Sequence, residues 1–305
     1  MSKFFAPLLV IIGFSLIHGP LGSAAEKDQF PPRFRIDVDL VVVRVTVTDP
    51  LNRYVIGLEQ EHFKLFEEKI EQNIIHFSND DSAISVGIIM DVSDSMGDNI
   101  LSARNSVVRF LEQGNPADEY FLVTFNDRTT LVQDFTSRSE NVQNQISFAN
   151  PKGRTALFDA IYLGLEKIRE GRNDKKALIV ITDGEDNSSR YTFSEVKDFV
   201  KESDVQIYVI GERGEMGYGR GIINEIVQLT GGRSFFPHNF KQLDYFCDLI
   251  HEELRNQYIL GYRSSDRDFS GDWRKIKVSL DEDTLPDGMP KLAIRAKEGY
   301  IAPRK

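Results

Sequence analysis

From residue 84 onward the apolar positions fall into a repeating order of unbroken runs and amphipathic stretches. Residues 84–90, 120–125, 177–182 and 205–210 are short, mostly apolar runs, and 233–236 is a shorter strand candidate. Runs of this kind are the pattern of strands covered on both faces. Between them apolar residues recur at helical spacing: Ile100, Ala103, Val107 and Leu111; then Leu157, Ile161, Leu165 and Ile168; then Ile222, Ile226 and Leu229, stopped by Gly231 and Gly232. A further helical pattern from 243 to 254 puts Cys247 on one apolar face with Leu243, Ile250 and Leu254, which predicts a buried, inert thiol. Strands alternating with helices predict an α/β fold with a doubly wound, mostly parallel sheet.

The flanks are patterned differently. Residues 34–48, FRIDVDLVVVRVTVT, alternate with period two, but the phase changes: Ile36, Val38 and Leu40 are even, Val43, Val45 and Val47 odd. That shift predicts a bulge or strand break near residues 40–42. Shorter strands are predicted at 64–66 and 74–78. At the far end QYILGYR, WRKIKVSL and KLAIRAKEGYI are strand candidates, and in the second Ile276, Val278 and Leu280 alternate with Lys275, Lys277 and Ser279. Three segments at each end are too few for a stable sheet alone. Together they predict a small β-sandwich into which the α/β part is inserted. The expected division is a leader at 1–25, an N-terminal β segment at 26–80, the α/β domain at 81–256 and a C-terminal β segment at 257–305.

The leader is expected because Lys3 precedes an apolar stretch over residues 4–17, then Gly and Pro, then the small residues 22–25. That is the layout of a secretory signal peptide, with cleavage expected after Ala25. The apolar run is short for a membrane span, so no stable span is expected after cleavage. Export predicts a secreted or periplasmic protein. A single cysteine in 305 residues allows no internal disulfide, so the core must suffice without one. With 37 basic against 47 acidic residues the net charge is −10, which argues against a nucleic-acid groove, since such binding rests on neutralising phosphates.

The chemistry gathers where predicted strands end. In open α/β sheets functional groups collect at the carboxyl ends of the strands. The run over 84–90 ends in Asp91-Val-Ser93-Asp-Ser95; GRTALFDA puts Thr155 just before a helix; ALIVIT ends in Asp183. Five oxygen-bearing side chains of this kind suit a hard divalent cation such as Mg²⁺, or Mn²⁺ or Ca²⁺ in its place. Only two formal negative charges then face the ion, which stays electrophilic and can take a further carboxylate from another protein.

DxSxS alone is a weak signal, but DxSxS after an apolar strand, followed by GxTALxDA and by a strand ending in TDG, is a specific one. The arrangement resembles a von Willebrand factor type A domain with a metal-ion-dependent adhesion site. FNDRTTLVQDFT and LTGGRSF match the family's order, and the flanking phrases resemble a secreted bacterial subgroup, the VWFA-related proteins. The resemblance implies that Ser93 and Ser95 ligate the ion directly, that Thr155 does so in a ligand-bound state, and that Asp91 and Asp183 act mainly through water. Where the family commonly has glycine this chain has Arg154, which either attracts an acidic partner or points into solvent. Asp98 and Asn99 stand at the spacing that supplies a second, adjacent metal site in integrin β chains; an acid near a helix start is the alternative. Glu185 and Asp186 are expected on the rim, solvated or selecting for a cation.

Enzymatic readings fit less well. A dehalogenase-type phosphotransferase needs a second Asp where Ser93 stands, and no GxSxG elbow is present. HEELR at 251–255 lacks the second histidine of a zinc-protease helix, leaving His251 as a surface residue. GYGRG at 217–221 reads as a flexible loop, without the Lys-Ser/Thr ending of a phosphate loop. A subunit of an ATP-driven chelatase would work inside the cell, against the leader. The expectation is a non-enzymatic, exported module that binds a protein ligand bearing an exposed Asp or Glu. A non-adhesive scaffolding factor of the cell envelope is the alternative.

Overall fold

The computed structural model describes residues 40–304 apart from residues 80, 212–218, 269 and 287. The expected leader and the first half of the FRIDVD alternation lie outside the described residues. In chain order the strands and helices are β1 (Leu40–Thr48), β2 (Phe63–Glu67), β3 (Ile70–Gln72), β4 (Ile74–Ser78), β5 (Ile84–Asp91), α1 (Ile100–Glu112), β6 (Glu119–Phe125), β7 (Thr129–Thr136), α2 (Ser139–Ile146), α3 (Leu157–Ile168), β8 (Lys175–Thr182), α4 (Phe193–Lys201), β9 (Gln206–Gly211), α5 (Gly219–Thr230), β10 (Arg233–Phe235), α6 (Leu243–Arg255), β11 (Tyr258–Arg263), β12 (Trp273–Leu280), β13 (Ala293–Ala296) and β14 (Gly299–Ile301).

The central sheet has the order β10-β9-β8-β5-β6-β7 and is parallel except for β7 at its edge. The apolar runs become its inner strands because each has two faces to bury. Ile84, Val86, Ile88 and Met90 of β5 pack with α1, α2 and α6, while Ile89 faces α3, α4 and α5. Each such side chain fully withdrawn from water stabilises the fold by about 1.5–3 kcal/mol. On α5 the buried isoleucines are Ile223 and Ile226, and Ile222 is only half-buried, one position off the expected stripe. Gly219, Arg220 and Gly221 of the expected GYGRG loop form the first turn of α5. Cys247 is buried, as expected. His251 is half-buried, with its ring edge-on to Phe110 at 5.8 Å, rather than a free surface residue.

Two four-stranded antiparallel sheets complete the architecture, β13-β1-β11-β4 and β14-β12-β2-β3, each built from both ends of the chain. Val43, Val45 and Val47 meet Leu65, Tyr258, Leu260, Tyr262 and Ile276 in the core between them. The bulge expected near residues 40–42 is absent from the β1–β11 pairing, which runs without a shift from Leu40 opposite Arg263 to Val45 opposite Tyr258. Both phases of β1 are buried here. The odd valines face the sandwich core, and the even Arg44, Thr46 and Thr48 are covered as well. Arg44 Nη1 donates to Asp204 Oδ2 at 3.1 Å and Thr46 Oγ1 to Glu253 Oε1 at 3.3 Å.

KLAIRAKEGYI is not one strand. It leaves the first sheet after Ala296, opposite Val45, and joins the second at Gly299, opposite Lys275. The corner rests on the end of α5, where Glu298 N donates to Leu229 O at 3.2 Å. Gly231 is needed there: its φ is +73°, and a Cβ would stand 2.6 Å from Lys297 N.

Candidate functional site

Asp91 is the last residue of β5 and Thr182 the last of β8, its neighbour in the sheet. Three connections emerge side by side at this end, and backbone bonds fasten them. Val92 N donates to Phe125 O (2.8 Å), Lys152 N to Val92 O (2.8 Å) and Asp94 N to Gly153 O (2.9 Å). Asn187 N and Ser188 N both donate to Thr155 O, at 2.9 and 3.1 Å. The loop bearing Asp183 is also locked onto the start of α3. Asn187 Oδ1 accepts from Thr155 N at 2.9 Å and Ser189 Oγ from Asp159 N at 3.0 Å. Buried Asp159 accepts in return from Arg190 N and Tyr191 N. Side chains far apart in sequence are thereby held at fixed separations.

The oxygens converge within this frame. Ser93 Oγ and Ser95 Oγ lie 3.0 Å apart, and Ser95 Oγ donates to Asp183 Oδ1 at 2.6 Å. Asp91 accepts from Ser93 N at 2.8 Å and from Thr182 Oγ1 at 2.6 Å, so Thr182 ties the carboxylate to the next strand. A Cβ on Gly184 would lie 3.2 Å from Thr155 Oγ1 and 3.6 Å from Ser95 Oγ; glycine leaves the space beside both hydroxyls open. Asp91, Ser93, Thr155 and Asp183 are all buried. Burial, above all, raises the Asp91 carboxyl to about 6; the nearby Asp183 charge adds to this, and hydrogen bonds from Ser93 and Thr182 oppose it.

The donor set fits a hard divalent cation. Ligands on adjacent corners of an octahedron with bonds of about 2.1 Å are about 3.0 Å apart, and the two serine hydroxyls stand at that separation. Among the described residues no group of three or more His, Cys, Asp or Glu side chains could hold a metal, so an ion here would depend on the hydroxyls. Oxygen-only donors suit Mg²⁺, Mn²⁺ or Ca²⁺ rather than a thiolate- or imidazole-seeking metal.

The other expected residues are placed as follows. Asn99 Nδ2 donates to Asp183 Oδ2 at 3.2 Å, which joins it to the main cluster, while Asp98 is exposed. Arg154 Nε donates to Asp127 Oδ1 at 3.1 Å, and this hydrogen bond holds the Asp127 carboxyl below its usual range. Glu185 Oε1 accepts from Gly219 N at the start of α5 (3.3 Å), and Asp186 Oδ1 from Phe158 N in the first turn of α3 (3.3 Å). Both acids thus satisfy helix N-termini. Sequence reasoning passed over Thr182, Asn187, Ser189 and Asp159. The polar run TDGEDNSS was the available signal, since hydroxyl and amide residues beside a strand end and a helix start are suited to binding free backbone groups.

A parallel α/β module with loops of acid and hydroxyl residues at its carboxyl edge is thereby defined. The model of the von Willebrand factor type A domain family matches residues 85–248, more than half of the chain, and the chain belongs to that family. Domains of this family often mediate adhesion between proteins. No curated protein matches the sequence. Among solved structures, a von Willebrand factor type A protein from Catenulispora acidiphila superposes with a TM-score of 0.53 at 12% identity, over 78% of this chain and 65% of its own. Proximal thread matrix protein 1 from the mussel byssus does so at 0.50 and 19% identity, over 62% of this chain and 50% of its own. BatB from Bacteroides thetaiotaomicron gives 0.47 at 19% identity, over 57% of this chain and 100% of its own. The chain spans 61% of the PilB minor pilin of Streptococcus sanguinis, so it covers less than two thirds of several of the structures it matches. Among the described residues no helix is long and apolar enough to cross a membrane.

Proposed function

We infer that the protein binds a partner protein through a divalent cation held by Asp91, Ser93, Ser95, Thr155 and Asp183. The observation that carries this reading is the 3.0 Å Ser93–Ser95 hydroxyl pair bonded to Asp183, beside the space that Gly184 leaves open under Thr155. The hydroxyls ligate, and Asp91 and Asp183 hold them and accept from ion-bound water. The bound cation, Mg²⁺ or in its place Mn²⁺ or Ca²⁺, supplies a Lewis-acidic position for an exposed Asp or Glu carboxylate of the partner. A binding role is supported by the hydrogen bonds that Ser93 and Ser95 make among the described residues, with each other, Asp91 and Asp183, which suit ion ligands held in place. With residues 1–25 as a leader, the protein acts outside the cytoplasm, secreted or periplasmic.

Calorimetric titration of Mg²⁺ and Mn²⁺ into the metal-free protein, with and without acetate as a surrogate carboxylate, tests this. One-site binding, tightened by acetate and lost in an Asp91→Ala, Ser93→Ala variant that still folds, is the expected result. Absence of binding under both conditions would overturn the reading.

A further inference from the structure

Two large apolar side chains stand in water at the same end of the sheet as the candidate cation site. Phe148 is 77% exposed and Leu101 63%. Isolated exposed apolar residues are ordinary, but two at the end of the sheet that carries a candidate site are informative. The topology places both at this end. β5 and β6 end here, and α1 begins here, directly after the serine loop. β7 runs away antiparallel to β6, from Thr129 opposite Phe125 to Thr136 opposite Tyr120, so α2 returns and leaves Phe148 two residues beyond its end.

One hydrogen bond ties the start of α1 to the segment that carries Phe148. Arg104, three positions after Leu101 and hence on the adjoining row of α1, donates through Nη2 to Ala149 O. Both residues are also tethered to the site. Leu101 follows Asn99, which is bonded to Asp183, by two residues, a span of at most about 7 Å. Phe148 precedes Lys152, whose N is bonded to Val92 O, by four residues, a span of at most about 14 Å.

The charges beside the pair differ in their commitments. Arg154 is engaged with Asp127, and Glu185 and Asp186 bond helix N-termini. Lys152 is exposed, and among the described residues its side chain has no hydrogen-bond or ion-pair partner; this ammonium stands four residues after Phe148, on a residue whose backbone N–H is bonded to Val92 O at the start of the serine loop.

We propose that Leu101 and Phe148, with the Lys152 ammonium, form a second contact surface for the same partner, one that takes an aliphatic or aromatic side chain close in sequence to the acid bound at the cation. This rests on the cation-site reading and narrows the partner to an acidic segment with an apolar neighbour. The carboxylate supplies orientation and the cation dependence. The apolar side chain supplies burial, because Phe148 and Leu101 lose water when it covers them.

The test is selection from a displayed library of random peptides on the full protein in Mg²⁺, with elution by EDTA. The best peptide is then measured against a Leu101→Ser, Phe148→Ser variant. The expected result is a consensus of Asp or Glu with a large apolar residue within three positions. Binding to the variant should be weaker by about tenfold or more, still Mg²⁺-dependent, with an unchanged melting temperature. EDTA-eluted acidic peptides without an apolar preference, or equal binding by the variant, would overturn the apolar surface and leave the cation site standing. Failure to recover any EDTA-sensitive acidic peptide would overturn the cation reading, and this surface with it.

Discussion

Gly184 illustrates how little space separates an open oxygen cluster from a closed one. A methyl group there would crowd the Thr155 hydroxyl at 3.2 Å and touch the Ser95 hydroxyl at 3.6 Å, in a loop whose neighbours are fixed by backbone bonds. Gly184→Ala should therefore weaken Mg²⁺ binding in calorimetry by tenfold or more, while the melting temperature shifts by no more than a few degrees. Asp91, Ser93 and Ser95 were legible at this scale because an apolar strand ending in alternating oxygens is unusual. The parts played by Glu185 and Asp186 were not. An acid beside a strand end reads alike whether it faces solvent or accepts from a helix N-terminus, and only the placement of α3 and α5 decides.

At the scale of elements, the segment from Asp183 to Tyr191 acts as a clasp on the start of α3. Its bond from Thr155 N to Asn187 sets where the Thr155 hydroxyl sits. Asn187→Ala leaves that N–H without its side-chain acceptor and should cost about 1 kcal/mol in urea denaturation. A measurable fall in cation affinity should accompany it, because Thr155 is then free to shift. The long buried elements and the short strands β2, β4 and β10 were legible from their patterns, whereas β3, β7, α2 and α4 were not. β7 alternates poorly because it is an edge strand with partly exposed residues throughout. β3 has three residues and turns at Glu68 and Lys69, both at positive φ without a glycine to announce it. α2 and α4 bury only two apolar residues each, Val142 and Ile146, and Val196 and Val200. The capping box of Thr192 and Glu195 is the local signal that marks the start of α4.

Across the whole molecule, charged side chains join the antiparallel sheets to the α/β part. Asp204, before β9, pairs with Arg44 of β1 and with Lys297 at the corner between β13 and β14. Burial works against the ionised Asp204 carboxylate, but Lys297 and Arg44 outweigh it and lower its pKa to about 2. The folded value lies below the unfolded one of about 3.9, so the stabilisation is present above that value and is lost as pH falls through about 2. The carboxylate is 52% exposed, which keeps the contribution small through solvent screening. Asp204→Asn should melt below the unmodified protein near neutral pH in modest salt. The gap should close as pH falls from 4 toward 2, as read by circular dichroism.

The sequence by itself determined the alternation of buried strands and amphipathic helices, the oxygen-bearing strand ends, and the β character of both flanks. These follow from local periodicity, which each segment carries in its own residues. Tertiary structure alone decided the rest. Strand order set β8 against β5, and so brought Asp183 to Ser95 and Thr182 to Asp91 across 88 and 91 residues of chain. It also divided KLAIRAKEGYI between two sheets and buried both faces of β1. No local pattern encodes those outcomes, because each depends on which surface a distant segment leaves to be covered.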